Sequence, residues 1–182
     1  MDRYLVPLVM VAAAAGCAPE LPRELAIEGR FSDEETALLV EAIDEANHRL
    51  GRLVGHPVIY YDGRIHDRDG FSFEDFDDDR HVVYVFDPDS REYDWTSEVA
   101  EPGYVGYATL ADVLIEHLDD FGGDRARFRR VALHELGHFL GLTHNPDPDS
   151  IMYSGPKPDT LTTYTHADLR AFCLAHDCIR EP

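Results

Sequence analysis

The residues from His134 to His144 read H-E-x-x-H-x-x-G-x-x-H, a spacing that is typical of a metal-binding site. On a helix, side chains four positions apart share one face, so His134 and His138 would present two imidazoles to one small cation. Glu135 lies beside them, within reach of a water molecule bound to that cation. Gly141 permits a turn that presents His144 as the third ligand. Three imidazoles leave one tetrahedral position open, which is typical of catalytic zinc.

A helix must carry this motif, and the flanking residues define its ends. Gly122 and Gly123 interrupt the chain upstream, and Asp124 is a suitable N-cap. After the third histidine, Pro146 and Pro148 do not permit further helix. Apolar residues surround the motif and predict a mostly buried helix: Phe128, Val131, Ala132, Leu136, Phe139 and Leu140.

Two further helices and several strands are predicted around it. Ser32 and Glu35 form a capping box before apolar residues at helical spacing, which continue to Gly51. A last helix begins at Thr165, with Asp168 three residues later. Apolar runs predict strands at residues 57–61, 81–86, 106–110 and 112–118. Strands combined with helices that flank one site indicate an α+β fold.

The length and charge limit the classes of partner. A chain of 182 residues suits one domain with a substantial core, and we expect it to be a monomer. The formal net charge of −20 excludes nucleic acid and anionic headgroups as expected partners, because both would be repelled.

The first residues have the pattern of an export signal. A short apolar run from Leu5 to Ala15 is followed by Gly16 and Cys17, which resembles the bacterial lipoprotein signal with its lipidated cysteine. A plain signal peptide cleaved nearby is the alternative. We therefore expect a signal peptide at 1–17, a tether at 18–30 and the catalytic domain at 31–182. The protein would be exported to the cell envelope, with the lipid on Cys17 as its only membrane contact, or it would be secreted.

Two further features leave alternatives open. Cys173 and Cys178 are close enough for a disulfide in an oxidising compartment, but a buried free Cys173 on a helix face is equally natural. The acidic segment at 62–80, which ends in the acidic run at 74–79, could supply oxygen ligands for Ca²⁺, although its spacing fits no known calcium loop and a solvated loop is favoured.

The segment from His134 to Tyr153 resembles the metzincins, a clan of zinc endopeptidases, and most closely the matrixin branch. Met152 stands where that clan has a tight methionine turn beneath the metal. The resemblance implies a small twisted mixed sheet with a long N-terminal helix, an active-site helix and a C-terminal helix. It also implies one catalytic Zn²⁺ held by His134, His138 and His144, with Glu135 as general base on a zinc-bound water, and a protein or peptide substrate.

The same resemblance gives details that the structure can test. An extended substrate would pair with an edge strand near residues 112–118, and residues 153–165 would form one wall of a substrate pocket. Asn145 stands where matrixins usually have serine. Ser154 stands where some metzincins have a tyrosine that contacts zinc, so no such contact is expected here.

Three alternative interpretations agree less well with the residues present. Another zinc clan with H-E-x-x-H takes its third ligand from a later glutamate, but no glutamate lies between His138 and Arg180. An aminopeptidase of the archaemetzincin type would need more cysteines after the third histidine than Cys173 and Cys178. A non-catalytic zinc-containing binding module would not require a carboxylate at Glu135.

Overall fold

The computed structural model describes residues 18–63, 65–66, 81–85, 106–108, 112–155 and 161–179. The predicted signal peptide and most of the acidic segment at 62–80, including residues 74–79, lie outside these residues. Within that segment, residues 65–66 form a short strand where the sequence predicted a loop. Within them, no helix is both long enough and apolar enough to cross a bilayer. The fold class is α+β, as predicted, with helices packed against one sheet.

The first helix, α1 (Asp33–Arg49), begins where its sequence predicts. The Ser32 hydroxyl accepts a hydrogen bond from the Glu35 amide at 3.2 Å, and the Glu35 carboxylate accepts one from the Ser32 amide at 2.7 Å. Together these bonds satisfy amide groups that a helix start would leave without partners. A short helix, α2 (Gly51–Val54), follows directly. The buried face of α1 packs on the helix that carries the zinc motif.

The described strands form one mixed sheet. They are β1 (Arg23–Glu28), β2 (Ile59–Tyr60), β3 (Ile65–His66), β4 (His81–Val85), β5 (Gly106–Ala108) and β6 (Val113–Ile115). The order is β2-β1-β4-β6-β5, and β3 also pairs with β1. Only the β5–β6 pair is antiparallel among these strands. The sheet is therefore mixed, as the resemblance implied.

The prediction of a tether at 18–30 is wrong for most of its length. Residues 23–28 form β1, which pairs with β2 and β3 on one side and with β4 on the other. The side chains of Leu25 and Ile27 are buried in the core, and Glu28 is fully buried. The Glu28 carboxylate accepts a 2.7 Å hydrogen bond from the Val85 amide. The folded domain thus begins well before residue 31.

The predicted edge strand is also in a different place. The segment at 112–118 contributes β6, but β6 lies between β4 and β5. Among the described strands, β5 is the one at this end of the sheet, and it packs against the helix that carries the zinc motif. The prediction is wrong because two neighbouring strands of a hairpin can take either order in a sheet. The parallel pairing of β6 with β4 fixes the order here.

The remaining helices frame the site. A 3₁₀ helix (Leu118–Phe121) ends at Gly122, and α3 (Arg125–Phe139) then begins with Asp124 as N-cap, as predicted. The last helix, α4 (His166–Ala175), has the predicted capping box of Thr165 and Asp168. A disulfide joins Cys173, in the last turn of this helix, to Cys178 beyond its end, so the disulfide is the correct one of the two alternatives that the sequence left open.

Candidate active site

Two histidines of α3 are oriented by backbone carbonyl groups. Nδ1 of His134 lies 2.7 Å from the Ile151 carbonyl oxygen, and Nδ1 of His138 lies 2.8 Å from that of Leu142. A carbonyl oxygen only accepts hydrogen bonds, so each Nδ1 must carry the proton. In the neutral ring, Nε2 then presents its lone pair, which is the form that binds a metal.

The end of α3 brings in the third histidine. The Gly141 amide donates to the His138 carbonyl oxygen at 2.8 Å, and the Leu142 amide donates to that of Gly137 at 2.9 Å. This pair of bonds ends the helix with a left-handed residue, and Gly141 has φ +86° as the turn requires. The same turn places the Leu142 carbonyl against His138 and directs the chain toward His144.

The three histidines converge, as the sequence predicts. One ring nitrogen of each of His134, His138 and His144 lies within 4.8 Å of the other two. Nε2 of His138 is 3.1 Å from Nε2 of His144. Nitrogens held 2.0–2.1 Å from a tetrahedral zinc would be about 3.3 Å apart, so the donor set and its spacing fit zinc. Within the described part of the chain, no other cluster of three such ligands is found.

Met152 lies directly beneath this helix. A Cβ atom on Gly137 would clash with the Met152 sulfur and lie 3.2 Å from its terminal methyl, so the Met152 side chain occupies the space that a Cβ atom would need. Met152 is fully buried, and its carbonyl oxygen accepts a 2.9 Å hydrogen bond from the Asn145 amide. Met152 therefore packs against the helix between the first two ligands. The bond from Asn145 fixes the start of the loop that leads from His144 to Met152.

We expect Gly137→Ala to destabilise the protein by about 1–3 kcal/mol, because an added methyl overpacks the Met152 contact. The higher helix propensity of alanine should by itself stabilise the protein by about 1 kcal/mol. A net decrease in the free energy of unfolding would therefore indicate the clash. Chemical denaturation of Gly137→Ala, Met152→Ala and the double variant measures the coupling. Strictly additive effects of the two substitutions would contradict this contact.

Asp168 joins the methionine turn to the start of α4. Its carboxylate is fully buried and accepts hydrogen bonds from the Ser150 hydroxyl, from the Ile151 amide at 3.1 Å and from the Met152 amide at 3.4 Å. It also accepts two bonds of 2.8 Å from the amide and hydroxyl of Thr165. The sequence predicted only the capping role. One side chain thus bonds both to the methionine turn and to the N-terminus of α4.

Two further side chains fix α3 from outside the motif. The Tyr164 hydroxyl donates a 2.7 Å bond to the Leu133 carbonyl oxygen, and burial together with the charges of Asp168 and Glu45 raises the pKa of Tyr164 well above its usual value. Arg23 donates a 2.6 Å bond to the Phe139 carbonyl oxygen at the helix end. Burial lowers the pKa of Arg23 to about 10, although Asp112 opposes that change.

Glu135 follows the first ligand directly, and its side chain is only 6% exposed. A carboxylate at this position, on the helix that carries two converging imidazoles, suits proton transfer in a largely dehydrated setting. The role of general base remains a prediction. The predicted wall at 153–165 is described only in part, and most of the acidic segment at 62–80, including residues 74–79, lies outside the described residues.

The family model for the matrixins matches residues 58–172, which include every residue of the triad, Glu135 and Met152. The chain belongs to the matrixin family. Matrilysin of Felis catus is 44% identical over 66 residues, which are 36% of this chain and 22% of that protein. Macrophage metalloelastase of Oryctolagus cuniculus is 48% identical over 50 residues, which are 28% of this chain and 9% of that protein.

The matrixin fold extends over most of the chain. The crystal structure of metalloproteinase-II from Bacteroides fragilis superposes with a TM-score of 0.52 over 88% of this chain and 55% of that one, at 13% identity. This matrixin chain is matched to less than a quarter of the length of either mammalian relative, so the likeness concerns one segment of those proteins.

Proposed function

We propose that this matrixin is a zinc-dependent metalloendopeptidase. The observation that carries the proposal is the convergence of His134, His138 and His144, two of them with Nε2 freed for a metal by carbonyl bonds at Nδ1. When bound there, zinc would polarise the scissile carbonyl and lower the pKa of a water molecule toward about 7. Membership of a family of zinc peptidases supports the same activity.

Protein groups would carry out the proton transfer, orient the ligands and support the site. Glu135 would take up the proton of the attacking water and later pass it to the leaving amine nitrogen. The carbonyl groups of Ile151 and Leu142 hold two ligand rings in one tautomer and one orientation throughout. Met152 would contribute packing beneath the site without contact to substrate.

The substrate would be an extended polypeptide. β5 lies at the end of the described sheet and packs against α3, so a peptide could add to it as a further strand. Such a strand would continue past the site in both directions, which favours cleavage of internal peptide bonds.

A zinc reconstitution experiment tests the activity. Protein freed of metal by a chelator should not cleave peptides, and one equivalent of zinc should restore cleavage. The substrates are a peptide library with acetylated N-termini and amidated C-termini, and the same library with free N-termini. Cleavage restricted to free N-termini would contradict the endopeptidase proposal. Zinc-loaded protein that cleaves nothing in a broad library would favour a binding module instead.

We also propose that the chain is exported and anchored by lipid on Cys17, on the strength of the apolar run and the small residues before this cysteine. Cells that express the full chain should incorporate a labelled fatty acid into it. Lack of label, or label that persists in Cys17→Ser, would contradict the anchor.

A further inference from the structure

The C-terminal end of α3 is followed by a turn that leads from the second zinc ligand, His138, to the third, His144. Helix ends leave their last carbonyl groups without partners inside the helix. The turn itself provides some of the donors, because the amides of residues 140–142 donate to the carbonyl oxygens of residues 136–138. The carbonyl groups of Phe139 and Leu140 bond instead to side chains that are distant in sequence.

His176 supplies the donor for the Leu140 carbonyl group. Nε2 of His176 lies 2.9 Å from the Leu140 carbonyl oxygen, and because that oxygen only accepts hydrogen bonds, Nε2 must carry the proton. Leu140 is fully buried, so water has no access to this oxygen. Removal of the donor would leave a buried carbonyl group unsatisfied, an unfavourable state that a shift of the turn would relieve.

The ring of His176 is held in place from its own helix. His176 is the C-cap of α4, and its amide donates to the Phe172 carbonyl oxygen at 2.9 Å. Its ring stacks on the fully buried Phe172 ring, with centroids 4.4 Å apart and an angle of 29° between the planes. A Cβ atom on Gly141 would lie 4.0 Å from Nε2 of His176, so the ring also lies close to the turn.

A disulfide closes the segment that contains His176. It joins Cys173, three residues before His176, to Cys178, two residues after it. Just beyond the disulfide, the Ile179 amide donates a 2.8 Å bond to the Leu53 carbonyl oxygen, which fixes the segment to α2. The backbone is therefore restrained on both sides of His176, which keeps the imidazole beside Leu140.

Movement of Leu140 would affect two ligands. The Leu142 carbonyl oxygen, two residues further along the turn, lies 2.8 Å from Nδ1 of His138 and orients that ring. His144 follows after two more residues, at the end of the same short segment. The second and the third ligand thus both depend on the position of the turn.

We propose that His176 is a positioning residue of the zinc site, held in its place by the Cys173–Cys178 disulfide. It acts through the turn at residues 140–142 rather than by contact with metal or substrate. The inference rests on the zinc site of the proposed function, and it adds a residue outside the zinc motif on which zinc affinity depends.

Two substitutions separate the donor from the ring. His176→Phe keeps an aromatic ring to stack on Phe172 but has no N–H group in it, whereas His176→Gln keeps an N–H donor without the ring. His48→Phe is the matched control, because His48 is an exposed histidine in the last turn of α1. Competition with a chromophoric chelator measures the affinity of each protein for zinc.

His176→Phe should bind zinc about tenfold more weakly than the wild type, at the lower end of the roughly 10–100-fold loss that follows removal of a group bonded directly to a ligand. His176→Gln should retain most of the affinity, and His48→Phe all of it. Wild-type affinity in His176→Phe would overturn the proposal. Equal losses in His176→Phe and His176→Gln would show that the ring matters and the donor does not, which would contradict the role given to Nε2.

The absorption bands of bound Co²⁺ report on the arrangement of the ligands. At saturating Co²⁺, the bands of His176→Phe should differ in position or intensity from those of the wild type, and the bands of His48→Phe should superpose on them. A residue that only stabilised the fold would leave these bands unchanged once the metal is bound. Superposable bands in all three proteins would therefore overturn a positioning role.

Hydrogen exchange of the metal-free proteins shows whether the effect is local. Because the amides of residues 140–142 are bonded within the turn, exchange at residues 140–145 should be faster in His176→Phe than in the wild type. Exchange within α1 should be the same in both proteins. Faster exchange throughout the chain would indicate a general loss of stability and would contradict the local role.

Replacement of both cysteines tests the part assigned to the disulfide. The double variant Cys173→Ser/Cys178→Ser should weaken zinc binding about as much as His176→Phe does. Adding His176→Phe to it should cause little further loss, because both changes act through the same contact. Unchanged zinc affinity in the cysteine variant, or fully additive losses in the combined variant, would overturn the part assigned to the disulfide.

None of these measurements uses a substrate. Wild-type protein that binds zinc but cleaves no peptide would contradict the proposed peptidase activity and leave the role of His176 intact. Peptide cleavage by the wild type, together with undiminished zinc affinity in His176→Phe, would instead overturn the role of His176 and leave the peptidase activity intact.

Discussion

Glu135→Gln is expected to lower the rate of peptide hydrolysis about 10³-fold while the protein still binds one zinc. The substitution keeps the size of the side chain but removes its ability to take up a proton, and general acid–base catalysis of this kind contributes about 10²–10⁴-fold. Because the three histidines are untouched, zinc stoichiometry measured by atomic absorption should be that of the wild type. Steady-state cleavage of a blocked fluorogenic peptide gives the rate.

Glu24→Gln is the matched control for this substitution, since Glu24 is an exposed glutamate on β1, outside the zinc motif. It should retain full activity and zinc. Equal rates for wild type and Glu135→Gln would contradict the proposed role. A Glu135→Gln protein that has also lost zinc would show instead that the carboxylate stabilises the metal site.

Asp168→Asn is expected to destabilise the protein by about 3–4 kcal/mol and to weaken zinc binding. Asparagine directs an NH₂ group toward donors from Ser150, Ile151, Met152 and Thr165, whereas the carboxylate accepts from all of them. Hydrogen bonds to a charged group are worth about 1.5–3 kcal/mol each, and several would be lost together. Urea denaturation of the zinc-loaded and zinc-free proteins measures both effects.

Asp149→Asn is the control, because Asp149 is exposed in the loop before the same turn. It should change the free energy of unfolding by less than about 0.5 kcal/mol. The weaker zinc affinity of Asp168→Asn has a specific cause: the Ile151 carbonyl that orients His134 belongs to the turn that Asp168 holds. Loss of stability without any change in zinc affinity would show that the turn keeps its position without the carboxylate.

The sequence was sufficient to predict the parts of the site that depend on local spacing. His134 and His138 are one helical turn apart, and glycine at position 141 was the residue that the turn to His144 required. The capping boxes of α1 and α4 were predicted for the same reason, since each depends on residues three positions apart.

The features that could not be predicted depend on contacts between distant parts of the chain. The second role of Asp168 arises because folding places the methionine turn beside the start of α4. β1 was not predicted because its apolar run is only Leu25 to Ile27. The charged residues on either side, Arg23 and Glu28, are buried because they bond to groups on α3 and β4, which are distant in sequence. Gly137 gave a weak signal: a glycine inside a helix costs about 1 kcal/mol, so its presence indicates a close packing contact.

The central place of β1 in the sheet has a consequence for how the polypeptide folds. Among the described strands β1 is synthesised before the others, yet one of its parallel partners, β4, begins more than fifty residues later, at His81. Strand pairs that are far apart in sequence form slowly, because the entropy cost of closing the loop arises before any stabilising contact forms. The nascent chain should therefore complete the pairing of β1 only after much of it has been synthesised.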